Sequence, residues 1–159
     1  MCWFICLTSR GCSESVFQEL KQGYPVTRVG QSSLKPQEEK DLAGWWSRSV
    51  TASPSVGAVD KFRFGDDRFS DMKVIELISG KRVKWQCVDG AQEWIGTELT
   101  FDLEQETGST VVLLAQLGWK EQAEFMHYSS TKWAMYLLSL KSLCEIGKGT
   151  PYPDDVDIG

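Results

Sequence analysis

The chain has a single histidine, His127, so no metal triad or relay of imidazoles can be assembled within its 159 residues. Its five cysteines, Cys2, Cys6, Cys12, Cys87 and Cys144, are odd in number and form no CxxC pair. Neither a disulfide framework nor a zinc site is expected from them, and a reduced, cytoplasmic setting fits best. Cys87 and Cys144 fall inside apolar patterns, where free cysteine behaves as a small hydrophobe. There is no phosphate-cradling glycine loop, dinucleotide fingerprint or GxSxG elbow, so no cofactor is expected. The apolar opening MCWFICL is too short to span a bilayer and has no basic flank. It is not expected to act as an export signal or to insert in a membrane. Positive charge is sparse too: 17 Lys and Arg against 22 Asp and Glu give a net charge of −5. The basic residues are scattered rather than striped, which disfavours nucleic acid and anionic membrane as partners.

What the chain does have is indole. Seven tryptophans are many for this length, and such bulk needs either a core or a cavity wall. The length suits one domain over 1–159 with a core that needs no staples. The greasiest stretch, 120–146, has no proline or internal glycine. Met126, Trp133, Leu137, Leu140 and Cys144, then Phe125, Ala134, Leu138 and Leu143, recur at helical spacings over more than half of the circumference. Gly147 supplies a left-handed stop, and Pro151 and Pro153 forbid continuation. Such a helix must lie against a large apolar surface.

The residues before it read as strands. Residues 58–64 and 69–78 are separated by a Gly-Asp-Asp turn. Val83, Trp85 and Cys87 then alternate with Arg82, Lys84 and Gln86, the pattern of a half-buried strand that Asp89-Gly90 would close as a hairpin turn. Ile95, Thr97, Leu99, Phe101 and Leu103 share the next face, and 110–117 forms the last strand. Five strands joined by tight turns give an antiparallel meander, with the helix packed across its concave side. Earlier in the chain, 1–8 suits a short buried strand and 13–21 a serine-capped helix. Residues 23–40 are polar, broken by Pro25 and Pro36, and read as a loop; 41–47 starts with a capping aspartate and suits a short helix. Residues 51–57 are a turn-rich connector, and the aspartates of 151–159 a solvated acidic tail.

The blocks DLAGWWS, GAVDKFRFG, KVIELISGKRVKWQCVDG, EWIGTELTFDLE, the Gly118-Trp119 pair and STKWAMYLLSLKSLCEIGKGTPYPDD together resemble the START/SRPBCC superfamily. Within it they resemble the branch related to the activator of the ninety-kilodalton heat-shock chaperone ATPase. The resemblance covers residues 41–155. It implies an α+β helix-grip fold, a curved antiparallel sheet wrapped round a long C-terminal helix with a cavity between them. Members of the superfamily hold lipids, polyketides and other apolar molecules, and a few transform them. The N-terminal block 1–40 departs from the pattern: SESVFQEL resembles the family's first helix, but residues 23–40 then stand as an insertion before the family-like core of 41–150.

Three functions from different classes are consistent with this reading. The first is the binding of a small apolar ligand, with no catalysis or at most a weak one, in a pocket walled by Trp45, Trp46, Phe62, Phe64, Met72, Val74, Trp85, Phe101, Gln116, Phe125, Trp133 and Leu137. Gln116, Ser129, Thr131 and Lys132 are the polar groups available to point inward, with Lys132 expected to snorkel at the helix edge. The second is a protein-interaction module with a chaperone partner. The third is a polyketide-cyclase-like enzyme with His127, a weak catalytic candidate, or a nearby tyrosine as its acid–base group. The last strand is apolar on both faces, Val111, Leu113, Ala115 and Leu117 opposing Val112, Leu114 and Gln116. Its outer face needs a cover, from residues 23–40 or from the second subunit of a homodimer, and the dimer is the favoured expectation.

Overall fold

Burial along residues 59–63, 69–74 and 82–87 alternates with the pleat, and this alternation sets which face of the sheet meets the helix. The computed structural model describes residues 3–10, 42–78, 81–106, 109–120 and 124–158. The strands are β1 (Trp3–Arg10), β2 (Ser49–Thr51), β3 (Val59–Arg63), β4 (Phe69–Ile78), β5 (Arg82–Gly90), β6 (Glu98–Glu106) and β7 (Ser109–Leu117). A short helix α1 covers residues 42–45, and the long helix α2 is Glu124–Ile146. The seven strands form one antiparallel sheet in the order β1-β7-β6-β5-β4-β3-β2. The expected meander is therefore present, with β1 added beside β7 and β2 added at the opposite edge. β2 was not foreseen. It is only three residues long, at the start of a stretch dominated by turn residues.

Phe62, Met72, Val74, Val83, Trp85, Leu99, Phe101, Val112 and Leu114 project from the inner face into the core. The helix meets them with Trp133, Tyr136, Leu137, Leu140 and Cys144. This stripe is narrower than the sequence pattern suggested: Leu138 is 56 % exposed and Ile146 75 % exposed. Gly147, with φ of 75°, ends the helix by donating its N–H to the Leu143 carbonyl. The helix 13–21 and the insertion 23–40 lie outside the described residues, as do the residues just before Glu124.

The Asp89-Gly90 pair does not form the hairpin turn. Gly90 is still paired with Ser70 of β4, and the chain reverses over residues 91–96. The glycine is needed for a different reason: a Cβ there would sit 2.7 Å from the Phe69 carbonyl oxygen, at a φ of 138°. A similar close approach occurs at Gly149, where a Cβ would meet the Gly44 carbonyl at 2.3 Å. There the segment after α2 crosses α1 with no room for a side chain.

The outer face of the sheet carries cross-strand ion pairs, Arg63–Asp71, Arg82–Asp102 and Lys84–Glu98. Each is partly solvated and worth less than about 1 kcal/mol. On β7, Val111 and Ala115 are buried and Leu113 and Leu117 half-buried within the single chain. The apolar outer face is thus largely covered, and it does not by itself require a second subunit.

One inward-facing position of β3 is a carboxylate that the pattern gave no reason to place there. Asp60 is fully buried between the sheet and the 52–57 connector, and accepts the Ser53 N–H at 3.0 Å. Burial raises its pKa to about 7, an effect only partly offset by the Ser53 bond and by the Trp85 indole. The Trp85 N–H favours the charged form without reaching ordinary hydrogen-bond geometry to it. Because the folded-state value lies above the unfolded one, the neutral acid is the form the fold prefers. Stability from this group is complete below about pH 4 and is lost as pH rises through about 7. The difference is on the order of a few kcal/mol. Asp60→Asn should remove this dependence, so that its stability relative to wild type grows between pH 5 and pH 8 in urea unfolding. An identical pH profile for the two proteins would show that Asp60 is charged in the fold.

Candidate functional site

Four segments converge at one end of the sheet. They are the β3–β4 turn, the turn between β5 and β6, the first half of α2, and the chain that follows α2. Between them lies an open cleft of about 820 Å³. The β3–β4 turn contributes Phe64, Asp67, Arg68 and Phe69, and the next turn contributes Ala91 and Trp94. The helix presents Phe125, Tyr128, Ser129, Lys132 and Tyr136, one face of its first turns at spacings of three and four. Tyr152, Pro153, Asp155 and Asp157 close the remaining side, and Trp46 forms the floor.

The floor is rigid because the rings behind it are packed. Trp46 lies 4.0 Å from Phe62, 4.9 Å from Trp133 and 6.1 Å from Trp85, centroid to centroid. Trp94 stacks on Trp133 at 5.7 Å and 13°, and its indole N–H donates to Ser129 Oγ at 3.0 Å. The Trp133 N–H donates to Gln116 Oε1, and Gln116 Nε2 donates to Thr97 Oγ1, which donates to the Trp94 carbonyl. This chain of bonds ties helix, β7 and the β5–β6 turn together, and satisfies the buried amide of Gln116.

Of the twelve residues expected to wall a pocket, Trp46, Phe64 and Phe125 border the cleft. Trp45, Phe62, Met72, Val74, Trp85, Phe101, Trp133 and Leu137 lie in the packed interior between sheet and helix, with Gln116 among them. The space between sheet and helix is thus filled by rings at this level, and the open volume lies beside it. His127 is on the exposed side of α2, outside the cleft lining. The Cys87 thiol is buried, and burial pushes its pKa up to about 11, which keeps it from acting as a thiolate. Among the described residues no group of His, Cys, Asp or Glu could hold a metal ion, and no helix is long and apolar enough to cross a membrane.

The sequence reading missed the polar wall. The C-terminal segment leaves Asp154 and Asp157 exposed, as an acidic tail would, but ties its other residues to the fold. The Tyr152 N–H donates to the Trp46 carbonyl at 3.0 Å, and the Arg48 N–H donates to the Tyr152 carbonyl at 3.2 Å. Thr150 N–H is held by Ser139 Oγ at 2.7 Å, and Asp154 pairs with Arg48. Lys132, far from snorkelling, donates to Asp155 Oδ2 and to the Val156 carbonyl, both at 2.7 Å. Tyr136 OH donates to the same carboxylate oxygen at 3.1 Å. The Lys132 and Asp155 side chains retain only 15 % and 7 % exposure. Burial and the neighbouring Asp155 charge push the Tyr136 hydroxyl well above its usual range, so it stays a donor. Lys132 and Tyr136 are four apart on one helix face, which was readable, but their acidic partner is distant in sequence, which was not.

No family model matches the chain, and no curated protein matches it. Solved structures do. Aha1 from Colwellia psychrerythraea, determined in solution as a dimer, is 34 % identical over 94 % of this chain and 99 % of that one, with a TM-score of 0.70. A protein from Staphylococcus saprophyticus shares 15 % identity over 94 % of this chain and 95 % of its own, at a TM-score of 0.66. DynU16, from the dynemicin biosynthetic locus, shares 15 % identity over 92 % of this chain and 48 % of that one, at 0.63, and for these two the likeness is one of fold. With a third of its residues shared with Aha1 along nearly the whole of both chains, the protein belongs to the Aha1-like branch of the START/SRPBCC superfamily, with its helix-grip fold.

Proposed function

We propose that the protein binds a small, flat, largely apolar molecule in the cleft at the end of its sheet. The observation that carries this reading is the cleft itself. It is an aromatic-lined space of about 820 Å³, within the usual size range of ligand sites, with a few fixed polar groups on one wall. The ring-filled interior leaves the ligand to lie against Trp94 and Phe125 rather than between sheet and helix. The cleft's polar groups are few and fixed, Lys132 and Tyr136 both bonding Asp155, which suits holding and orienting a molecule. The C-terminal strap is part of the site, since it supplies one wall.

Native mass spectrometry of the purified protein should retain an apolar adduct. In its absence, titration with N-phenyl-1-naphthylamine should move the Trp94 indole N–H signal in NMR spectra. No adduct and no shift would remove the ligand-binding reading.

The strap gives a second expected outcome. Lys132→Met leaves the Asp155 carboxylate without its cation; were Asp155 to stay buried, the cost would be about 3–5 kcal/mol. The strap end can instead escape to water, so residues 154–158 should lose hydrogen-exchange protection while the sheet keeps its own. Probe affinity should fall with it. Global unfolding of this variant, or unchanged protection, would show that the pair does not act as a local latch.

A second reading rests on the 34 % identity to Aha1 over almost the full length of both chains. On it, the protein is a partner-binding module of the chaperone-activator type and self-associates, as the Colwellia protein does in its solved form. Sedimentation equilibrium should then show a dimer that Leu113→Lys weakens, and the purified protein should accelerate ATP hydrolysis by a ninety-kilodalton heat-shock chaperone. A monomer at high concentration with no effect on the chaperone would leave only the ligand-binding reading.

A further inference from the structure

The cleft is lined by two cations whose surroundings differ. The Lys132 ammonium has an oxygen of Asp155 and the Val156 carbonyl at 2.7 Å each, and is almost wholly covered. Its charge is spent on the strap. Arg68 is exposed at the cleft border, and its guanidinium lies 5.6 Å above the centre of the Tyr152 ring. Among the described residues no carboxylate forms an ion pair with it. Of the acids that line the cleft, Asp155 is engaged by Lys132 and Tyr136, Asp157 has a contact of its own, and Asp67, next to Arg68 in the turn, forms no ion pair with it among the described residues.

Arg68 is also held rather than loose. The Phe64 N–H donates to the Arg68 carbonyl at 2.8 Å and closes the turn. The Phe64 ring meets the Tyr152 ring edge-on at 5.7 Å and 77°. Gly65 lets the turn come so near that a Cβ there would lie 3.0 Å from the Tyr152 hydroxyl. A guanidinium carries five N–H donors in a fixed fork, so with Tyr152 as its contact Arg68 keeps donors in reserve, enough to receive a carboxylate or sulfonate in two parallel bonds. The hydroxyls of Tyr128 and Tyr152, which also line the cleft, are further donors for the same group.

We propose that the cleft is selective for molecules with one anionic group on an apolar aromatic body, the anion being received by Arg68 at the cleft mouth while the rings lie against Trp94 and Phe125. This deepens the ligand-binding reading and rests on it. The charge of the protein as a whole is negative, so any preference for an anion must come from a local contact rather than from the overall field.

The test compares two probes that share one skeleton, 8-anilinonaphthalene-1-sulfonate and N-phenyl-1-naphthylamine, the second lacking only the sulfonate. Binding is followed by fluorescence and located by the shift of the Trp94 indole N–H in NMR spectra. The sulfonate should bind at least roughly tenfold more tightly, the worth of one hydrogen-bonded charge pair. Arg68→Gln should bring the two affinities together by weakening the sulfonate alone, and Arg68→Lys should restore part of the difference. Arg68 is exposed, so neither variant is expected to disturb folding, and an unchanged circular dichroism spectrum checks this. Equal affinities in wild type, or a preference that survives Arg68→Gln, would overturn the anion proposal and leave ligand binding standing. Failure of both probes to move the Trp94 signal would overturn both.

Discussion

The Trp46 side chain is the contact on which the rest of this structure depends. Its indole lies among Phe62, Phe64, Trp85, Trp133 and Tyr136, so that sheet, helix and α1 meet on a single ring. Its backbone carbonyl receives the N–H of Tyr152, which fixes the strap. The same residue, almost wholly buried, lies at the base of the cleft. Core packing, strap and site therefore share one residue. Rings occupy the middle of the space between sheet and helix, and the open volume lies to one side of them.

The strap adds a second layer to this. Its first part is pinned by backbone contacts and by the close approach of Gly149 to α1. Its last residues depend on a buried ion pair that the desolvation of two charges makes weak in net terms but costly to break on one side only. A wall built this way is stiff near Tyr152 and conditional near Asp155. That gradient runs along the cleft, from the Trp46 floor outward.

Much of the fold was legible because it rests on periods of two and of three to four. Val83, Trp85 and Cys87 are buried as alternation required, and Met126, Trp133, Leu137 and Leu140 lie on one stripe. The inner-face phase of β3 and β4 also agrees, with Phe62, Met72 and Val74 facing the core. The turn at Asp89-Gly90 misled because a glycine can be required by a neighbour's carbonyl as well as by a positive φ. The site was less legible. Aromatic residues that fill a core and those that wall a cleft share one composition, and only three-dimensional packing separates Trp133 from Trp94. Polar pairs such as Lys132 with Asp155, or Arg68 above Tyr152, join segments remote in sequence and leave no periodic trace. Asp60 is the extreme case, a buried acid within a strand whose neighbours gave no warning.

The position of β1 has a consequence for how the molecule is made. Its residues pair with β7 from Trp3↔Gln116 to Arg10↔Ser109, a ladder closed across roughly a hundred residues, whereas the hairpins from β3 to β7 close locally. β1 is therefore made before β2 to β6 but cannot pair until after all of them. During synthesis it must wait, unpaired and apolar, until β7 has emerged, and the edge of β7 stays open until that strand arrives. From β2 to β7 each strand can pair with the one made just before it, and β1 alone among the described strands pairs out of that order.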